Sequence, residues 1–146
     1  MSVYYNRVEK LKKLRSDSKL LAGAIKYYET HPADFINDWG MTLDPRVVPS
    51  NIPFVLFPRQ IELIEFLHNK YVIKNDGVIE KTRDCGATWV CAAFSVWLWI
   101  FHQDQSVGWG SRKEGLVDRI GDSDSIFEKM RIFIRQLPSE FIPLGS

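Results

Sequence analysis

Cysteine is nearly absent from this chain. Cys85 and Cys91 are the only two in 146 residues, and they do not form a C-x-x-C pair. A lone pair of this kind suggests reduced intracellular thiols rather than a disulfide framework. Histidine is scarce and scattered: His31, His68 and His102 stand singly, so no metal site emerges from them. Net charge is nearly absent too, at +1. That argues neither for nor against nucleic acid, because a neutral average can hide a local basic face. The longest apolar run, 89–101, is well short of the ~20 residues of a membrane span and reads as a buried helix. No secretory leader is recognisable, since Val3-Tyr4-Tyr5-Asn6-Arg7 gives way to a charged run. The expectation is therefore a protein that is not secreted and has no membrane partner. There are no internal repeats and no low-complexity tract. What is present, 45% apolar residues over one domain's length, is enough for a real core.

Residues 1–30 read as an N-terminal helical segment, with Val8, Leu11, Leu14 and then Leu20, Leu21, Ala24 and Ile25 near helical spacing. Ser16-Asp17-Ser18 breaks the run and can cap a second helix. Lys10, Lys12, Lys13, Arg15 and Lys19 form a basic cluster, either a solvated helix face or a contact for a phosphate backbone. Residues 31–59 are punctuated by five X-Pro steps, so no long helix fits; the segment reads as an ordered strap whose aromatics Phe35, Trp39, Phe54 and Phe57 dock on the domain. A helix is expected over 59–69. From residue 71 the pattern predicts α/β structure: short strands at 71–73, 77–81 and 106–110, a strongly apolar helix over 88–102, and a broken helical region from Arg112 that Pro138 ends. Strand, helix, strand, helix at these lengths predicts a βαβ unit with a partial parallel sheet.

The junction between the second strand and the apolar helix carries the chemistry. Lys81, four residues, Gly86, one residue and Thr88 preserve the spacing of the second glycine and hydroxyl of a phosphate-binding loop, G-x-x-x-x-G-K-[ST]. The lysine stands where that loop has its first glycine, and Ala87 occupies the lysine's usual place. Such a loop aims successive backbone N–H groups into one concavity at a helix N-terminus. Gly86 lets the backbone approach phosphate oxygens closely. Thr88 can offer its hydroxyl to Mg²⁺, and Lys81 can neutralise phosphate charge if its stem folds back over the loop. Arg83, inside the loop, is a second cation: a phosphate clamp or an arginine finger acting in cis. Upstream, Gln60 presents a donor and an acceptor suited to the N6/N7 edge of adenine, and Phe57 can stack on the base. An ordinary turn and helix start would account for the same residues.

In their order, these features resemble the N-terminal ATPase part of phage terminase large subunits, the motors that pump DNA into capsids. Ile36-Asn37-Asp38-Trp39 and Thr42-Leu43-Asp44-Pro45-Arg46 are similar to their lead-in segment, and residues 54–60 to their adenine-binding segment. Residues 81–88 are similar to their deviant Walker A loop, and Gly110-Ser111-Arg112-Lys113-Glu114 with Val117-Asp118 to the segment that follows it. The resemblance covers about residues 30–138, and makes 31–146 a partial P-loop ATPase domain. It implies that Gln60 reads adenine, Lys81 and Arg83 contact phosphates and serve catalysis, Gly86 and Ala87 shape the loop, and Thr88 faces Mg²⁺. It further implies ATP as cofactor, a homo-oligomeric ring, double-stranded DNA, the terminase small subunit and the portal protein as partners, and the host cytoplasm as location.

The chain also departs from that pattern. No apolar run ending in Asp-Glu, the family's Walker B, occurs after Arg112, and nothing corresponds to the nuclease domain. Asp118, Asp122 and Asp124 sit in a polar helix break and are no substitute. The expectation is the front part of a longer protein that does not hydrolyse ATP efficiently on its own. Another P-loop machine, such as a helicase, fits less well because Ala87 replaces the lysine. A non-catalytic nucleic-acid-binding or assembly module, working through the basic helix, is the alternative of a different kind.

Overall fold

The computed structural model describes residues 2–82 and 85–143. Among these residues the chain is mostly helical: α1 (Val3–Ser16), α2 (Ser18–Tyr28), α3 (Pro32–Trp39), a hairpin of β1 (Met41–Leu43) and β2 (Asn51–Pro53), α4 (Pro58–Ile73), α5 (Ala87–Phe101), α6 (Glu114–Val117), α7 (Ile126–Arg135) and a closing 3-10 turn, Ser139–Phe141.

α5 is the centre of the molecule. It is apolar on nearly all sides, as a helix surrounded by others must be, and Val90, Ala92, Ala93, Val96 and Trp97 are buried. α3, α4 and α7 pack around it. α3 contributes Phe35, Ile36 and Trp39, one helical face at i, i+1 and i+4; α4 contributes Ile64 and α7 contributes Phe133. Side chains of this size each stabilise by about 1.5–3 kcal/mol when fully buried. The N-terminal helices belong to the same core through Leu14 and Tyr28. The Trp97 Nε1–H donates to the Tyr28 carbonyl at 2.7 Å, so the largest buried side chain leaves no unpaired donor. Asp17 breaks the helical run as its sequence suggests, its Oδ1 accepting from the Lys19 N–H at 2.9 Å and the Leu20 N–H at 3.2 Å.

Residues 31–59 hold a helix and a hairpin rather than a strap alone. β1 and β2 pair antiparallel, with Met41 opposite Pro53 and Leu43 opposite Asn51. The hairpin is tied to α3: the Phe54 N–H donates to the Gly40 carbonyl at 2.8 Å, and the Leu56 N–H to Asn37 Oδ1 at 2.8 Å. Gly40 has no room for a side chain, since a Cβ there would lie 2.6 Å from the Ile36 carbonyl oxygen and 2.8 Å from the Phe133 ring.

The expected α/β architecture, a P-loop-like βαβ core with a parallel sheet, is not formed; among the described residues the only sheet is the two-stranded antiparallel hairpin. Residues 71–73 are the last turn of α4, because Tyr71 falls one turn beyond Leu67 on the face that packs against the core. The helix stops at Lys74, which is left-handed (φ 52°), with the Asn75 N–H donating back to the Lys70 carbonyl at 3.1 Å. Segments 77–81 and 106–110 are irregular backbone. A strand exists only through a neighbour that accepts its N–H groups and donates to its carbonyls. Among the described residues no such neighbour lies beside 77–81, where Val78 is 93% exposed. The 106–110 segment is held instead by a side chain, the Trp109 Nε1–H donating to Ser95 Oγ on α5 at 3.3 Å.

Candidate functional site

The two segments singled out in the sequence, 54–60 and 81–88, meet in one open cleft of about 890 Å³. Its floor is the start of α5, its walls are the start of α4 and one residue of α7, and the β1–β2 hairpin forms the far rim. That volume is within the ~300–1,000 Å³ range of small-molecule sites.

Gln60 joins the two segments. It is the third residue of α4, and its Oε1 accepts from the Phe57 N–H at 3.1 Å, while the Gln60 N–H donates to the Phe57 carbonyl at 2.8 Å. This ties up the N-terminus of α4 as the acceptor half of a capping box does. The other end of the amide, Nε2, crosses to the Cys85 carbonyl at 3.2 Å. Gln60 is thus buried, at 8% exposed, and satisfied by one bond at each end. It keeps one N–H and one oxygen lone pair for a further partner. Phe57, just ahead of α4, lies on the rim and is 70% exposed.

The loop turns into α5 through Gly86, whose φ of +74° is left-handed. Glycine is required there twice over, because a Cβ would also lie 2.8 Å from Gln60 Nε2. The first intrahelical bond is from the Val90 N–H to the Gly86 carbonyl at 3.1 Å. The N–H groups of Ala87, Thr88 and Trp89 therefore belong to the helix's open end, where the dipole is positive. Ala87 is nearly buried and lines the cleft beside Gly86. Thr88 is half-buried on the cleft floor, and Lys81 is exposed on the wall. Lys81 also lies close enough to oppose the rise that burial imposes on the Cys91 thiol pKa. Arg83, the other loop cation named from the sequence, lies outside the described residues.

Further charged residues line the cleft: Arg59, Asp44 and Arg46 fall in segments already noted in the sequence, though without an assigned role, and Lys129 was not noted at all. Lys129 reaches the cleft from α7; Arg59 follows Phe57 on α4; Asp44 and Arg46 stand on the hairpin rim. Arg59 bonds Glu62 at 2.6 Å, and Arg46 grips Asp44 at 2.8 Å, which holds that carboxyl down at about 2. Among the described residues the cleft lining therefore carries four cations and one carboxylate. For Lys129 a signal was available: it lies three residues after Ile126 and four before Phe133, a core-facing register for a lysine.

The donor set fits a polyphosphate: a helix N-terminus, a hydroxyl and several cations around one space. For Mg²⁺ the described residues offer Thr88 Oγ1, and the remaining ligands would be phosphate oxygens and water. Comparison with protein-family models, with curated proteins and with solved structures gives no match in any of the three.

Proposed function

We propose that this cleft binds ATP with Mg²⁺, and that the chain is the nucleotide-binding N-terminal part of a protein resembling terminase large subunits. The observation that carries this is the bond from Gln60 Nε2 to the Cys85 carbonyl, which brings an adenine-type segment and a phosphate-type loop, 25 residues apart, to one space. It does not depend on a parallel sheet. Polyphosphate would lie at the first turn of α5, with Lys81 against its oxygens and Thr88 toward the metal. The base would stack on the exposed Phe57 ring and use the free N–H and lone pair of Gln60. Mg²⁺ would supply charge neutralisation across the phosphates. Whole-protein roles follow from the resemblance alone: a ring in the host cytoplasm, working with a small subunit and a portal protein, that drives double-stranded DNA into a procapsid.

Calorimetry with ATP and GTP tests the binding. Lys81→Ala should weaken ATP about tenfold or more, since a charge-assisted hydrogen bond contributes about 1.5–3 kcal/mol. Gln60→Ala should weaken ATP and narrow the gap to GTP, because a site built to hydrogen-bond one base leaves its own polar atoms unpaired with another. Undiminished binding by Lys81→Ala would remove the phosphate role, and equal affinity of the parent chain for ATP and GTP would remove Gln60 as the reader.

A further inference from the structure

We propose that Lys129 of α7 is a phosphate-binding cation of the same cleft, adding to what Lys81 begins; this rests on the nucleotide reading given above. The case is one of a buried charge with no paired counter-charge among the described residues. Two ionised side chains of α7 are nearly as buried as the core around them. Glu128, 5% exposed, is held by Arg131 at 3.1 Å and Arg135 at 2.7 Å. Lys129, its neighbour, is 8% exposed, and among the described residues no carboxylate pairs with it. Its Nζ donates to the Ser123 carbonyl at 2.5 Å and lies 5.8 Å from the centre of the Trp89 ring. Both contacts orient the ammonium, and neither neutralises it. Asp122 and Asp124 act on it only from a distance, and burial outweighs them, lowering its pKa.

A buried cation without a paired anion is costly, and its cost is offset when an anion arrives. The open space beside Lys129 is the cleft, whose floor there is Thr88 and Trp89 at the positive end of α5. An ammonium has three donors. One is committed to Ser123, which leaves two for phosphate oxygens. The ligand class is therefore a nucleoside di- or triphosphate, and adenosine without phosphates would gain nothing from Lys129.

The test uses the full chain. Lys129→Met keeps an unbranched apolar stem of similar length and removes the charge. It should bind ATP and ADP about tenfold or more weakly and adenosine as the parent does, with Lys129→Arg recovering part of the loss. ATP affinity unchanged in Lys129→Met would overturn the proposal while leaving the nucleotide site standing; a parent chain that binds no ATP would overturn both. Should Lys129→Met lose its helical circular dichroism, the parent chain decides instead. An acyl-phosphate derivative of ATP, which acylates lysines lying against the phosphates, should label Lys81 and Lys129, and excess ATP should suppress both. Labelling of Lys81 with none at Lys129 would contradict the assignment.

Discussion

Gly86 is where conformation and site depend on a single residue. Its left-handed backbone costs a non-glycine residue about 1–2 kcal/mol, and the added Cβ would press on the Gln60 amide that holds Cys85. Gly86→Ala should therefore destabilise the chain by about that much and detach the loop from α4. Gly108, with nothing within 4 Å of its Cβ position, should tolerate alanine with a change under about 0.5 kcal/mol. Urea unfolding of the two variants checks this; equal loss in both would mean that the turn at Gly86 is not specific. At this scale the sequence was informative about where the helix starts. The interval from Lys81 to Thr88 puts a lysine, a glycine and a hydroxyl around one helix start, and the structure has that helix begin at Ala87. Lys129 was hidden because its relation to the loop is tertiary: 41 residues separate it from Thr88, and only packing of α7 on α5 brings them together.

Among the elements, helices were more legible than strands. Helical periodicity is a property of one segment, and α2 and α7 show it in their own residues, while α5 is legible as an unbroken apolar run of helix length. A strand depends on its neighbour, so residues 71–73 were taken into α4 and 77–81 stayed unpaired despite β-favouring side chains. α7 illustrates an element held by charge as well as by apolar contact. Arg135 first, then a backbone hydrogen bond from Gly121 and the Arg131 side chain, hold the Glu128 carboxyl down from 4.5 to about 2. A depressed pKa in the folded chain means that the unfolded chain binds the proton first as pH falls. The stabilisation is complete above about pH 4.5 and is lost as pH drops toward 2. Glu128→Gln should lack this contribution, so its urea midpoint should fall less than the parent's between those pH values. Asp44 and Glu140, also lowered by arginine partners, would keep part of the slope in both proteins. Identical slopes would show that the Glu128 pairs add nothing to stability.

At the scale of the whole molecule, the parallel sheet predicted from the alternation of apolar and polar runs gives way to helices packed around α5. The alternation was real, but 15 residues of apolar helix can be buried by other helices as well as by a sheet. Apolar content alone does not choose between them. The N-terminal helices join that core rather than standing apart, and Arg7 helps fix them by donating to the Asn37 carbonyl at 2.6 Å and the Gly40 carbonyl at 2.7 Å. This leaves two candidate faces for a polyanion: the cleft at α5, and a smaller groove between α1 and α2 lined by Lys10, Lys13 and Lys19. Titrating MgATP into ¹⁵N-labelled chain and following the backbone amides by NMR separates them directly. The largest shifts should fall on Gly86, Thr88 and Trp89, with further shifts at Phe57 and Lys129. Shifts confined to Lys10, Lys13 and Lys19, or no shifts at millimolar MgATP, would contradict nucleotide binding at the cleft.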